Sequence, residues 1–61
     1  MTEGERLRWW TGCRMRTLVA SKRTDNLVAL HDEDTKQLVV LSYEADVDRA
    51  VKRGVLAIVE A

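Results

Sequence analysis

Few residues in this chain could do covalent chemistry. Cys13 is the only thiol, His31 the only imidazole, and three acids, Asp32, Glu33 and Asp34, follow the histidine directly. A nucleophilic cysteine needs a stabilised thiolate and a base within reach. Arg14 and Arg16 flank Cys13 in sequence but alternate to the opposite face of an extended strand, where they cannot supply that charge. The expectation is that Cys13 is a small buried hydrophobe and His31 a strand-end residue beside an acidic turn. The acidic triplet lacks the every-second-residue ligands and central glycine of a calcium loop. No Cys/His set has zinc spacing, and there is neither a glycine-rich phosphate loop nor a G-x-S-x-G context. These readings predict no catalytic residue, no metal, no cofactor and no small-molecule substrate.

A different chemistry is concentrated near the N-terminus, in RLRWWTGCRMR. Arg6, Arg8, Trp9, Trp10, Arg14 and Arg16 stand within eleven residues. Arg and Trp are the side chains most enriched at binding hot spots, and both can also stack on bases. Residues 1–23 carry six cations against two acids, a net of plus four, and residues 24–61 carry eight acids against four cations, a net of minus four. That split, at zero net charge overall, is the pattern of a charge-complementary binder. The near-neutral total withholds the long-range field that concentrates most nucleic-acid binders on their target. A protein partner or a second copy is therefore the reading adopted, with nucleic acid as the alternative. On an extended segment adjacent tryptophans point to opposite sides, so one ring is expected inside and one outside.

At 61 residues the chain is read as a single small domain over residues 1–61, with residues 1–12 as a basic, aromatic N-terminal arm. Size scalings give roughly 90 kcal/mol from apolar burial. Ordering the chain costs about the same. With one cysteine and no metal set, self-association is the remaining source of extra stabilisation. Charges sit where a signal peptide would need an apolar run, and no segment approaches the about 18 apolar residues of a membrane span. The lone cysteine fits a reducing compartment, so a cytoplasmic location is expected. High Arg, Asp, Val and Ala usage with no Phe resembles GC-rich coding in a bacterium or phage.

The elements that must position the basic segment follow from periodicity. Alternation from Cys13 to Ser21 predicts a strand, Thr24-Asp25-Asn26 a turn, and Leu27 to His31 a second strand. The polar connection His31 to Gln37 separates LVAL from LVVL, which is a hairpin signal with one left-handed residue, leading to a third strand from Gln37 to Leu41. In that register Val28, Leu30, Val39 and Leu41 share a face. Val47, Ala50 and Val51 recur at helical spacing, with Gly54 as the stop and Ser42 or Asp46 as the N-cap. Val55 to Val59 is an unbroken apolar run, the mark of a strand covered on both faces: a central strand or a dimer seam.

The predicted fold is α+β: a small antiparallel sheet made of a three-strand meander, a short helix and an apolar C-terminal strand. It curls into an SH3-like barrel if the last strand pairs back onto the first. The expected function is non-enzymatic. The chain is read as an adaptor or regulator that binds through Arg6, Arg8, Trp9, Trp10, Arg14 and Arg16. Self-association is expected through Val55, Leu56, Ile58 and Val59.

Overall fold

A computed structural model describes residues 4–60. In chain order the elements are β1 (Arg6–Trp10), β2 (Met15–Lys22), β3 (Leu27–Asp32), β4 (Leu38–Tyr43), α1 (Glu44–Arg53) and β5 (Leu56–Glu60). The strands form one five-stranded sheet in the order β4-β3-β2-β1-β5, with every neighbouring pair antiparallel. The expected meander is β2-β3-β4. The segment read as an arm instead contains β1, which lies between β2 and β5. The C-terminal strand consequently pairs with β1 rather than with the meander, and the sheet stays open, with β4 and β5 as its edges.

Cross-strand pairing assembles the core. Leu7 faces Leu18, and Ala20 faces Leu30, so alternate residues of three strands line one face and interact in rows. Leu7, Leu18, Ala20, Val28 and Leu30 are buried there with Val47 of α1 and Leu56 of β5. Full burial of each large aliphatic side chain contributes about 1.5–3 kcal/mol. The helix crosses this face and touches both edge strands. It presents only the narrow stripe Val47, Ala50 and Val51 to the cluster.

Local chemistry sets the element ends. Gly54 adopts φ 81° beyond the helix. Its amide donates to the Val51 carbonyl at 3.1 Å, and the Val55 amide to Ala50 at 3.0 Å, the paired bonds of a Schellman stop. At the other end the cap residue is Tyr43, with no side-chain capping bond, so neither Ser42 nor Asp46 has the expected role. The Glu44 amide donates instead to the carbonyl of Asn26 at 2.8 Å, tying the helix start to the β2–β3 turn. Glu44 and Asp46 in the first turn and Lys52 and Arg53 in the last complement the helix dipole.

In the β3–β4 connection the expected left-handed residue is Lys36, at φ 65°. The shared face fails at one residue. A register shift makes Leu30 face Val40 and His31 face Leu38, inserting Val39 as a bulge. Val39 still packs on the core, whereas Leu41 lies opposite Ala29 on the far face. A one-residue insertion inverts everything on one side of it.

Candidate interaction surface

The β1–β2 hairpin sorts the basic, aromatic cluster by strand alternation. Trp9 points to the helix side and packs against the core, while Trp10 is 55 % exposed. One ring is in and one is out, as alternation requires. Arg16 belongs to the core side. Its guanidinium carbon lies 5.9 Å from the centroid of the Trp9 ring, within cation–π range. Its Nε donates to Asp32 Oδ2 at 2.9 Å, and Nη2 also donates to that oxygen. Arg6, on the opposite face, holds Glu33 by two bonds, Nε to Oε2 at 2.8 Å and Nη2 to Oε1 at 3.0 Å.

Two of the six candidate residues, Arg6 and Arg16, are thus ion-paired within the chain, and Trp9 belongs to the core edge. The structure brings Arg8, Trp10 and Arg14 together as the exposed remainder. Pairing of β5 along β1 begins at Trp9 with Leu56, and pairing of β3 along β2 begins at Leu18 with Asp32. Residues Trp10 through Met15 therefore project beyond both flanking ladders, and all six are exposed. A two-residue loop closes this tip. Gly12 holds the first loop position at φ 98°, where a tight hairpin turn calls for glycine. The Thr11 amide donates to the Arg14 carbonyl at 3.1 Å. Gly12 between two alternating runs was the available signal for this hairpin.

Asp32 anchors the base of the tip to β3. Its Oδ1 accepts from the amides of Asp34 at 2.8 Å and Thr35 at 3.1 Å, an Asx turn that shapes the β3–β4 connection. Bonds from the Thr35 amide and the Arg16 guanidinium, joined by the Asp34 amide, hold the Asp32 carboxyl below the usual carboxylate range despite its burial. Within the acidic triplet Asp32 is therefore the turn-former and Glu33 the ion-pair partner of Arg6. Among the described residues no group of three His, Cys, Asp or Glu is placed to hold a metal ion.

The thiol and the imidazole are apart. Cys13 is exposed in the tip, a correction to its expected burial, because the strand starts at Met15 and leaves Cys13 in the loop. His31 is half-buried on β3 opposite Val19, six residues along the hairpin strand from Cys13. At about 3.3 Å per residue the separation is on the order of 20 Å, too far for a nucleophile–base pair.

Compared with protein-family models, curated proteins and solved structures, the chain matches none.

Two apolar surfaces complete the inventory. Along the C-terminal segment Val55 is 51 % exposed, Ile58 53 % and Val59 40 %, and only Leu56 is buried. The apolar run is therefore an edge strand and not a covered one, and Leu56 belongs to the core rather than to any seam. Among the described residues the far side of β5 has no strand partner. The second surface is a groove of about 380 Å³ between α1 and the sheet. It exists because one ten-residue helix with a narrow stripe cannot cover five strands. Among the described residues no helix is long and apolar enough to cross a membrane.

Proposed function

We propose that this chain is a non-enzymatic interaction module, a cytoplasmic adaptor or regulator that self-associates through β5 and docks a protein partner through the Trp10–Met15 tip. The observation that carries the reading is the β5 edge, unpaired among the described residues, which bears exposed Ile58 and Val59 and is preceded by exposed Val55. An open apolar edge templates pairing with another strand unless something covers it. A second copy of β5 laid antiparallel continues the sheet and covers the β5 edge of both copies at once, the self-complementary arrangement of a two-fold dimer. The tip supports the docking half. Trp10, Arg8 and Arg14 are exposed together, and such side chains carry a disproportionate share of interface energy. Zero net charge favours a protein over nucleic acid as the partner.

Sedimentation velocity on wild type, Ile58→Asp and Val59→Asp tests the seam, since both residues are exposed and neither lines the groove beneath α1. Wild type is expected to associate with rising concentration. Each aspartate places an uncompensated charge on the edge and lowers the average mass while the far-ultraviolet spectrum stays unchanged. A wild-type mass that neither substitution alters overturns the reading.

A further inference from the structure

We infer that the protein docked by the tip is a second copy of this chain, whose groove beneath α1 receives Trp10 while Asp46 receives an arginine of the tip. This rests on the reading of the tip as a docking surface and names its occupant. The groove is floored by Trp9, Leu18, Leu30 and Leu56 and walled by Val40 and Val55, with Ser42 and Asp46 as its polar members. Its volume, about 380 Å³, is at the low end for ligand sites, room for a bulky side chain and its neighbour. Val40, Val55 and Asp46 are exposed, so it can be filled from outside by a group still attached to another surface.

The tip is the reciprocal shape. Trp10 and Met15 are cross-strand partners, each 55 % exposed, with Arg8 on the same face as Trp10 and Arg14 beside them. Among the described residues Asp46 is held by Arg49, three residues on, at 3.0 Å between exposed groups. Such a pair is worth little and exchanges readily. Charge agrees with shape: Arg8 and Arg14 are exposed cations at the tip and Asp46 is an exposed acid at the groove lip, so opposite charges meet when two copies approach head to groove. Intramolecular filling is barred. Trp9 faces the groove, so its neighbour Trp10 points to the other side of the sheet and can reach only the groove of another molecule. Tip and groove are different patches, which makes the contact head-to-tail, closing into a ring or extending as a chain.

The test separates this contact from the β5 seam by placing Ile58→Asp in every sample, since Ile58 does not line the groove. One protein adds Trp10→Ala and keeps its groove; the other adds Asp46→Arg and keeps its tip. All three substituted residues are exposed, and matching melting curves verify the fold. The Ile58→Asp parent is expected to associate, and Trp10→Ala to weaken that association by about 30-fold or more. Each double variant is expected to sediment alone as a monomer, and their equimolar mixture to form a one-to-one complex. That complex loosens several-fold as salt rises from about 0.05 to about 0.3 M. In the same mixture the tip-bearing protein displaces anilinonaphthalene sulfonate from the groove. A parent that stays monomeric, a mixture with no complex, or a dye that remains bound while the proteins associate overturns the inference. The last outcome assigns the groove to a small apolar ligand. None of these outcomes bears on the β5 seam, which the wild-type comparison decides.

Discussion

LVAL in β3 and LVVL in β4 are almost the same word, yet the molecule treats them in opposite ways. Leu30 is 2 % exposed and Leu41 50 %, although each is the last residue of its quartet. Leu30 has strands on both sides and Trp9, Leu18 and Val47 around the same cavity. Leu41 is on the outermost strand, turned by the Val39 bulge onto the face that α1 does not cover. Hydrophobicity selects residues for burial only where there is a neighbour to bury them; place in the sheet decides the rest. The difference also separates what folds this protein from what it offers to others.

The sharpest way to break that comparison is to truncate both leucines. Leu30→Ala is expected to cost about 2–5 kcal/mol, as large-to-small changes in a packed core do. A domain of this size has only about 3–9 kcal/mol in total, and each kcal/mol is worth about 4–8 °C in its melting temperature. The variant should melt at least about 10 °C lower or fail to fold. Leu41→Ala should stay within about 0.5 kcal/mol of wild type, and any larger effect should appear only at concentrations where the protein associates. Equal losses at the two positions in dilute protein would mean that β4 is covered within the single chain. The central-versus-edge distinction would then fall.

A second comparison sets two aspartates against each other. Asp32 is buried and accepts from two amides and Arg16; Asp46 is exposed beside Arg49. Because its bonds depress the Asp32 carboxyl in the folded state, its ionised form stabilises the fold. That stabilisation is fully present above the unfolded carboxyl value of about 3.9 and is lost as pH falls through the lower folded value. Asp32→Asn should therefore melt below wild type at neutral pH, with the gap closing as the solution is taken below about pH 4. Asp46→Asn, which removes only an exposed pair with Arg49, should leave thermal unfolding of dilute protein nearly unchanged at neutral pH. A gap for Asp32→Asn that is constant down to pH 2 would mean the carboxylate charge contributes nothing and only shape matters.

Much of the fold was legible in the residues because it rests on local rules. Gly54 behind Val47, Ala50 and Val51 marked the helix and its stop, and the polar stretch between LVAL and LVVL marked a hairpin with a left-handed residue. What escaped was set by distant partners. Arg6 to Trp10 alternates over only five residues and is crowded with cations, so it reads as an arm until β2 and β5 bracket it; Gly12 was the one local hint of a turn. The Val55–Val59 run reads as doubly covered, yet covering it requires a further strand, and among the described residues none lies there. Of the candidate site, the in–out split of Trp9 and Trp10 followed from alternation alone. The capture of Arg6 by Glu33 and of Arg16 by Asp32 did not, because those pairs join residues 27 and 16 positions apart.

Those two pairs give the finest comparison. Arg16 bridges a buried carboxylate and a tryptophan face, whereas Arg6 and Glu33 form their fork on the open face with roughly a third of each side chain exposed. Two bonds of good length resemble a strong interaction, but water screens both charges and two long side chains must be held in one geometry. A double-mutant cycle, Arg6→Ala with Glu33→Ala, is expected to return a coupling of about 0.2–1 kcal/mol, shrinking as salt is added. The corresponding cycle on Arg16 and Asp32 should give the larger value and the weaker salt dependence, since removing either partner strands a charge in the hairpin base. If the Arg6–Glu33 coupling equals or exceeds the other, the open face is not wet in solution. A second molecule on that face would account for it, and the equality would then disappear on dilution.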